Sequence, residues 1–322
     1  MQNRNHTVLP TDLMADDGID RRGMLKCMAW VGTGLVWSVT GGIATSRVFG
    51  QPPIVKPTFT FAQISDSHLG FSRDPNHDVA GTLKQTIARI NALPEPPAFL
   101  LHTGDLTHTA SPAEFDTVAE LLKEVKCGKV LYVPGEHDLD LDGNKEYLRR
   151  YGKGTRGSGW YSFDYQGVHF IGLVNVAIPK SGSGDGGLGV IGKEQLGWLE
   201  KDVAGLRNST PVVVFAHVPL WMVYEKWNWG TRDAEQALAL LKRFASLTVL
   251  NGHIHQTLQK VEGNVTFHTA RSTAFPQSEP GKGTPGPKHG LSADKLKAAL
   301  GLTSVSYFEN RGSLAIVDST LA

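Results

Sequence analysis

Short apolar runs alternate with helical segments over residues 59–133, and this order constrains the fold more than any other feature of the chain. The runs are brief and bounded by turn-forming residues, which is typical of buried strands. The predicted elements are strand 59–64, helix 79–92, strand 99–101, helix 112–125 capped by Ser111, and strand 130–133. Because strands and helices alternate, we expect a mainly parallel sheet with crossover helices.

The second half of the chain predicts more short strands than one parallel sheet needs. The predicted elements are hairpin strands 160–165 and 168–173, helix 193–206, strand 211–215, helix 233–244, strands 247–250, 257–261 and 264–268, and a closing hairpin of 303–309 with 313–318. Residues 275–290 hold four prolines and four glycines, which predicts a long loop. The extra strands indicate two sheets packed face to face between helices.

Composition describes an ordinary soluble protein with one large domain or two small ones. The chain has 322 residues, of which 40% are hydrophobic and 20% are charged. Its formal net charge is +1, so neither nucleic acid nor an anionic membrane is expected as a partner. Of the two cysteines, Cys27 lies in a segment that we expect to be removed. Cys127 would then be the only thiol, and the mature fold cannot rely on an internal disulfide.

The first fifty residues read as a targeting segment. Arg21 and Arg22 precede a moderately apolar, glycine-rich run over residues 27–37, which resembles a twin-arginine export signal. Small residues at 44–46 form a candidate cleavage region. The run is short for a membrane anchor, so the export signal is favoured over an anchor or a soluble arm. We therefore predict a periplasmic or secreted protein without stable membrane insertion after processing, divided into signal and arm 1–50, linker 51–57 and domain 58–322.

Acidic and histidine side chains follow five of the predicted strands directly. Ligands of open α/β sheets bind outside the carboxyl ends of the strands, so these side chains are expected to meet at one rim. Mixed imidazole and carboxylate ligands suit two cations about 3.5–4 Å apart, which clamp a phosphoryl group and activate a bridging water. They favour iron, manganese, zinc or nickel over magnesium or calcium. The seven candidate metal ligands are Asp66, His68, Asp105, Glu136, His217, His253 and His255.

This ordered set, together with His137-Asp138, resembles the calcineurin-like metallophosphoesterase superfamily over roughly residues 59–318. The resemblance implies a four-layer α/β/β/α sandwich of two mixed β-sheets, with a dinuclear metal centre at the carboxyl ends of the strands. It also implies that one metal is held by Asp66, His68 and His255, and the other by Glu136, His217 and His253, with Asp105 bridging. By the same resemblance, His137 protonates the leaving oxygen and Asp138 orients His137.

Position 136 departs from the family, which normally has asparagine there. Glu136 keeps a ligand oxygen, adds a negative charge and loses an N–H donor. Three hypotheses stay open: a more highly charged metal pair such as Fe(III) with a divalent ion, a preference for diester monoanions over monoester dianions, or a carboxylate that is merely tolerated. Purple acid phosphatases, a branch of the superfamily, carry a tyrosine ligand where this chain has His108. We expect no tyrosinate chromophore here. His108 could add an imidazole to the first metal, but a hydrogen bond at the rim is the favoured role.

The resulting prediction is a metal-dependent phosphoesterase in which a metal-bridging hydroxide attacks a small phosphoester. A phosphodiesterase is favoured, and the alternatives are a broad phosphomonoesterase or a non-catalytic metal-binding protein on the same fold. An aromatic cluster follows His217 and could stack on the substrate, although a small satellite core is favoured; its members are Trp221, Tyr224, Trp227 and Trp229. Lys282, Lys288 and His289 in the long loop either attract anionic substrate or are plain solvated charges, which is the commoner case.

Overall fold

The structure is a computed structural model that describes residues 56–139, 143–176 and 188–322, with the backbone alone for residues 34–40 and 43–49. The chain divides into two units, residues 1–56 and 57–322. In the first unit, strands β1 (Gly34–Thr40) and β2 (Ile43–Phe49) pair antiparallel. The candidate cleavage region at 44–46 falls within β2. Arg21, Arg22, Cys27 and most of the predicted linker lie outside the described residues, so the export signal stays a prediction.

The first sheet of the second unit has five strands among the described residues. From edge to edge they are β15 (Ser313–Thr320), β14 (Gly301–Phe308), β3 (Phe59–Ile64), β4 (Leu100–His102) and β5 (Val130–Tyr132). Strands β3, β4 and β5 are parallel, and β14 is antiparallel to both of its neighbours, so the sheet is mixed. Helices α1 (Val79–Asn91), α2 (Pro112–Leu122) and α3 (Lys145–Tyr151) come from the same half of the chain.

The second sheet has six strands in the described part of the chain. In order they are β12 (Gln259–Glu262), β13 (Val265–Thr269), β11 (Leu247–Asn251), β9 (Val212–Phe215), β7 (Val168–Gly172) and β6 (Tyr161–Tyr165). The four central strands are parallel, and each edge strand is antiparallel to its neighbour. The remaining elements are α4 (Lys193–Val203), α5 (Ala234–Leu241), α6 (Ala293–Ala299) and a short parallel pair of β8 (Leu188–Gly189) with β10 (Gly230–Thr231).

Strand alternation explains how these elements stack into layers. Side chains of a strand point alternately to its two faces. In β3, Phe61 packs between the two sheets against Phe99 and Phe170, whereas Ile64 packs under helix α1. A third apolar cluster joins α4 and α5 to the far face of the second sheet through Leu199, Leu238 and Val214. The layers are therefore α/β/β/α, and the predicted fold is confirmed.

Most predicted elements are present. The structure differs from the prediction at helix ends and in one short helix with few apolar side chains. Helix α2 begins at Pro112 after the Ser111 cap, as predicted, but ends at Leu122. Helix α3 was not predicted because only Tyr147 of its seven residues is buried, which leaves no apolar periodicity to detect. The described residues include no helix with the length and apolar character needed to cross a bilayer.

Candidate metal centre

The structure brings all seven predicted metal ligands to the carboxyl ends of the parallel strands. They follow β3 (Asp66 and His68), β4 (Asp105), β5 (Glu136), β9 (His217) and β11 (His253 and His255). Each sheet supplies side chains to the same place, because β3 to β5 belong to the first sheet and β9 and β11 to the second. The rim at which the two sheets meet is therefore where the polar side chains collect, as expected from the position of each residue after a strand.

These side chains form two groups whose donor atoms each lie within 4.8 Å of one another. The first donor group is Asp66, His68, Asp105 and His255, and the second donor group is Glu136, His217 and His253. Every member of the first group is buried. In the second group the Glu136 side chain is 25% exposed, so this group is the one that faces solvent.

Asp105 lies between the two groups. Its Oδ2 is 3.4 Å from His68 Nε2 and 3.4 Å from His217 Nε2, one imidazole from each group. Its other oxygen, Oδ1, accepts a hydrogen bond of 2.9 Å from the backbone N–H of His137. One carboxylate oxygen therefore faces both groups while the other is held by the backbone.

Unusual backbone geometry places these ligands. Positive φ angles occur at five of the seven, namely Asp66 (56°), His68 (41°), Asp105 (53°), His253 (70°) and His255 (52°). Residues with a Cβ rarely adopt this region, and such strain concentrates at functional sites. Gly104 also has a positive φ, and a Cβ there would come within 2.4 Å of His217 Nδ1. The turn after β4 therefore needs glycine so that His217 can approach.

Hydrogen bonds from outside the groups orient the imidazoles. His217 Nδ1 pairs with the carbonyl of Thr103 at 2.7 Å, and His255 Nδ1 pairs with the carbonyl of Phe275 at 2.6 Å. Since a carbonyl only accepts, each Nδ1 carries a proton, and Nε2 is the nitrogen that faces the group and would bind a metal ion through its lone pair. His68 Nδ1 pairs with His108 Nδ1 at 3.3 Å, which confirms the hydrogen bond expected for His108.

Several buried polar atoms of the second donor group have no hydrogen-bond partner among the described residues: His217 Nε2, both ring nitrogens of His253, and Glu136 Oε2. His217 Nε2 lies 3.0 Å from Glu136 Oε2, and His253 Nδ1 lies 2.9 Å from Glu136 Oε1, yet neither contact has hydrogen-bond geometry. An unpaired buried polar atom costs about 1–3 kcal/mol. A metal ion would satisfy this set of nitrogen and oxygen donors, so the residues fit the metal centre that the resemblance implies.

Electrostatics also favours a cation between the ligands. Burial raises the pKa of Glu136, but the charges of His253 and His217 outweigh it and hold that pKa well below its usual value. Burial lowers the pKa of His217, but Asp105 and Glu136 outweigh it and raise that pKa well above its usual value. The pKa of His68 is well below normal because of burial, His137 and His255. His68 is thus neutral, the form of imidazole that binds metals.

The two predicted catalytic residues lie beside the groups but do not contact each other as expected. His137 shares a donor cluster with Asp105 and Glu136, and its Nδ1 pairs with the carbonyl of His108 at 2.8 Å. The Asp138 carboxylate instead accepts four hydrogen bonds, from the backbone N–H groups of Leu106, Thr107 and Gly135 and from the Thr107 hydroxyl. The predicted orientation of His137 by the Asp138 carboxylate is therefore corrected. Asp138 ties together the loops after β4 and β5.

The aromatic cluster after His217 is divided between two roles. Trp221 packs on Phe267 of β13 with ring centroids 5.1 Å apart, so it belongs to the core, as the satellite-core interpretation expected. Trp229 is 3% exposed and places its ring 6.4 Å from that of His253, edge to face. Trp227 lies 4.8 Å from Trp229 and is partly exposed. Part of the cluster therefore lines the second donor group.

The functional contacts that sequence reasoning missed are mainly backbone carbonyls. Thr103 and Phe275 contribute only their carbonyl oxygens, and a carbonyl is common to every residue type. Thr107 was missed as well, although its hydroxyl bonds both the His137 carbonyl and Asp138. Its place two residues after Asp105 is the one signal that could have drawn attention to it.

Two curated sequence relatives of this chain are named as phosphodiesterases. A probable cyclic nucleotide phosphodiesterase of Synechococcus sp. is 26% identical over 69% of this chain and 84% of its own length. A glycerophosphodiester phosphodiesterase of Enterobacter lignolyticus is 24% identical over 66% of this chain and 76% of its own length.

Solved structures share the fold. A dimetal phosphatase from Danio rerio superposes with a TM-score of 0.63 at 15% identity, covering 83% of this chain and 98% of that chain. A purple acid phosphatase from yellow lupin superposes with a TM-score of 0.56 at 14% identity, covering 88% and 56% of the two chains. The model of the calcineurin-like phosphoesterase family matches residues 59–257. With this match and the two donor groups at its strand ends, the chain belongs to the calcineurin-like phosphoesterase family.

Proposed function

We propose that this metal-dependent phosphoesterase is a two-metal phosphodiesterase that acts on small phosphodiesters. The observation that carries the proposal is the position of Asp105, whose Oδ2 lies 3.4 Å from an imidazole of each donor group. A carboxylate placed in this way would be shared by two metal ions, and the nitrogen-rich ligand set favours iron, manganese or zinc. A mixed Fe(III) and divalent pair suits the three carboxylates Asp66, Asp105 and Glu136.

The residues of the site would divide the work as follows. Two bound metal ions supply Lewis acidity and an activated water for attack on phosphorus. Asp66, His68 and His255 would hold the first ion, and Glu136, His217 and His253 the second. The His108 carbonyl accepts from His137 Nδ1. Burial lowers the pKa of His137, but Asp105 and Glu136 outweigh it and raise that pKa, so His137 as an imidazolium would donate its Nε2 proton to the leaving oxygen and become neutral.

Preference for a diester is supported by Glu136 and by the relatives. A carboxylate at this position lies on the solvent-facing side of the centre, where substrate arrives. At about 4 Å and an effective dielectric constant near 20, each added unit of like charge costs roughly 4 kcal/mol before screening, so a monoester dianion is disfavoured relative to a diester monoanion. The curated relatives are named as cyclic nucleotide and glycerophosphodiester phosphodiesterases, which are enzymes of diesters.

The test combines metal analysis with hydrolysis on residues 51–322. We expect two metal ions per chain, and a kcat/KM at least tenfold higher for bis(p-nitrophenyl) phosphate than for p-nitrophenyl phosphate. A higher value for the monoester would make the protein a broad phosphomonoesterase. Bound metal without turnover of either ester would support the non-catalytic alternative.

We further propose that the protein is exported with its metals in place, since the twin-arginine route carries folded proteins. The support is the Arg21-Arg22 pair, which lies outside the described residues, ahead of an apolar run in the sequence. Replacing both arginines with lysine is expected to keep the full-length protein in the cytoplasm. Export of the doubly substituted protein at the wild-type level would refute this proposal.

A further inference from the structure

A cavity of about 380 Å³ opens beside the first donor group, and His255 forms part of its wall. Its other walls come from the segment after β13, the long loop over residues 275–290 and helix α6. Among its lining residues are three cationic side chains, Arg271, Lys288 and Lys295, and one carboxylate, Glu279. The cavity is therefore next to the metal centre and lined by an excess of positive charge.

Of the three cations, Arg271 is the one that is partly buried at the cavity wall. Its Nη1 reaches the carbonyls of Ala298 and Ala299 only at 3.4 and 3.3 Å. Its buried Nε has no hydrogen-bond partner in the described part of the chain, and neither has the buried hydroxyl of Thr257, another lining residue. Within the described residues no carboxylate lies within 4.0 Å of the guanidinium. Two unpaired polar groups, both able to donate, thus lie at the wall of the cavity.

The positive charges of Lys288 and Lys295 are not neutralised by the one carboxylate that lines the cavity. Glu279 pairs with Lys282 at 2.6 Å and with Lys288 at 3.4 Å, so its single charge is shared between two cations. Lys295 lies on the exposed side of α6 and forms no ion pair with any described residue. An unpaired cation at the mouth of a cavity attracts anions, because the low-dielectric wall focuses its field.

We propose that this cavity is an anion-binding subsite that holds a carboxylate or phosphate carried by the alcohol portion of the substrate. The inference deepens the proposed phosphodiesterase function and rests on it. His255 belongs both to the first donor group and to the cavity wall, so a substrate whose phosphoryl group lies at the metals can extend a short chain into the cavity. The preferred substrates are then phosphodiesters with a second negative charge.

The experiment uses a matched series of p-nitrophenyl phosphodiesters that share one leaving group. Their second ester is a five-carbon chain that ends in a methyl, a carboxylate, a phosphate or a trimethylammonium group. For the wild-type holoenzyme we expect KM to be about tenfold lower with either anionic end than with methyl, and higher with trimethylammonium, while kcat changes little. Comparing the carboxylate with the phosphate shows which anion the subsite takes.

The variants are Lys295→Glu, Arg271→Gln and the matched control Lys297→Glu, which is also exposed on α6 but does not line the cavity. Lys295→Glu and Arg271→Gln should abolish the preference for anionic ends with the methyl ester unaffected, whereas Lys297→Glu should keep it. Lys295 is exposed, so its variant tests the inference even where Arg271→Gln fails to fold. Equal loss in Lys295→Glu and Lys297→Glu, or no preference in the wild type, would overturn the inference.

Binding separates this inference from the proposed function. The corresponding p-nitrobenzyl phosphonates, in which a stable P–C bond replaces the labile aryl ester, are titrated into the same four proteins by calorimetry, with chromatography to verify that the alkyl ester stays intact. Tighter binding of the anionic phosphonates, lost in Lys295→Glu, supports the subsite even where no ester is hydrolysed and the phosphodiesterase proposal fails. Hydrolysis of the esters with equal binding of all phosphonates rejects the subsite alone.

Discussion

Two clusters of histidine and carboxylate side chains lie at opposite ends of the strands of the second sheet, and they are satisfied in different ways. Near the amino end of β7, His169 Nδ1 donates to Asp164 at 2.8 Å and Nε2 donates to Asp202 at 3.0 Å. At the carboxyl ends, the nitrogens of His217 and His253 lie as close to Glu136, yet His217 Nε2 and both nitrogens of His253 have no hydrogen-bond partner among the described residues. The same residue types form an ion-pair network in one place and a set of candidate metal ligands in the other.

The pKa directions alone do not separate the two clusters, because carboxylates raise the pKa of His169 and of His217 alike. Burial lowers the pKa of His169, but Asp202 and Asp164 outweigh it and raise that pKa, which stabilises an imidazolium with both protons engaged. Burial, with His137 and His255, holds the pKa of His68 well below normal and keeps the ring neutral. Burial next to a carboxylate does not by itself identify a metal ligand. A buried ring nitrogen that has no hydrogen-bond partner and faces other donor atoms marks a candidate ligand.

The largest expected effect comes from Asp105→Ala. Because Asp105 faces both donor groups, its loss should lower kcat/KM for bis(p-nitrophenyl) phosphate by at least about 10³-fold, since each metal supplies several kcal/mol. Metal content should fall at both positions. Asp202→Ala, which removes a carboxylate from the opposite cluster, is the matched control and should retain metal and activity. Full activity in Asp105→Ala would end the bridging assignment.

His137→Ala should lower kcat about 10²-fold or more, because it removes the group assigned to protonate the leaving oxygen. Metal content should remain at the wild-type level, since the seven ligands are intact. The loss should be smaller for a substrate whose leaving group needs no proton, such as nitrophenolate, than for an alkyl ester. His169→Ala, with its imidazole in the remote cluster, should leave kcat unchanged. A loss of metal in His137→Ala would reassign His137 as a ligand.

Glu136→Asn tests the charge at the open side of the centre. Removing one negative charge should raise kcat/KM for p-nitrophenyl phosphate relative to the diester by about tenfold, which is less than the unscreened Coulomb energy because Glu136 is partly exposed. The measurement is the ratio of the two substrates in each protein, with total metal measured alongside. An unchanged ratio and an unchanged metal content would leave Glu136 as a carboxylate that is merely tolerated.

Chelation of bound metal should lower the Tm through the cluster at the carboxyl ends of the strands, and not through the His169 cluster. A ligand present at 100 times its Kd contributes about 2.7 kcal/mol, so removing metal should lower Tm by roughly 5 °C or more for a domain of this size. The drop should be absent in Asp105→Ala and undiminished in Asp202→Asn. A chelator that leaves the wild-type Tm unchanged would mean that the unpaired nitrogens are not occupied by metal in solution.

Asp202→Asn should have the smallest effect, and that effect should depend on pH. The pKa of His169 is raised from 6.5, so its contribution to stability is fully present below about pH 6.5 and is lost as the pH rises through the folded value. Burial raises the pKa of Asp202, but His169 and Ser162 outweigh it and lower that pKa from 3.8, so its contribution is lost as the pH falls below that range. Wild type and variant should therefore differ most between these values, by roughly 2 °C in Tm after solvent screening. A difference that grows above pH 8 would contradict the assignment.

The sequence predicts those features of the fold and the site that depend on residue type and local order, and misses those that depend on contacts between distant segments. The ligand types and their places after strands were readable because a polar residue after a buried apolar run is conspicuous. The hydrogen bonds of the Asp138 carboxylate could not be predicted, because the short helical turn at Glu136–Asp138 directs that carboxylate to the backbone of Leu106 and Thr107. The cavity could not be predicted from the sequence either, because its walls combine Thr257, Arg271 and Lys295 from separate segments.

The sequence by itself determined the chemistry of this protein, namely which side chains can bind metal and that two sheets carry them. These are properties of residue type and of local periodicity, which neighbouring residues decide. Only the tertiary structure decided that Asp105 faces both donor groups. It also decided that the Nε2 atoms of His68 and His255, which are 187 residues apart in the chain, lie 3.2 Å from each other. Such distances are set by how two sheets pack through the phenylalanine core between them, and no local pattern encodes that packing.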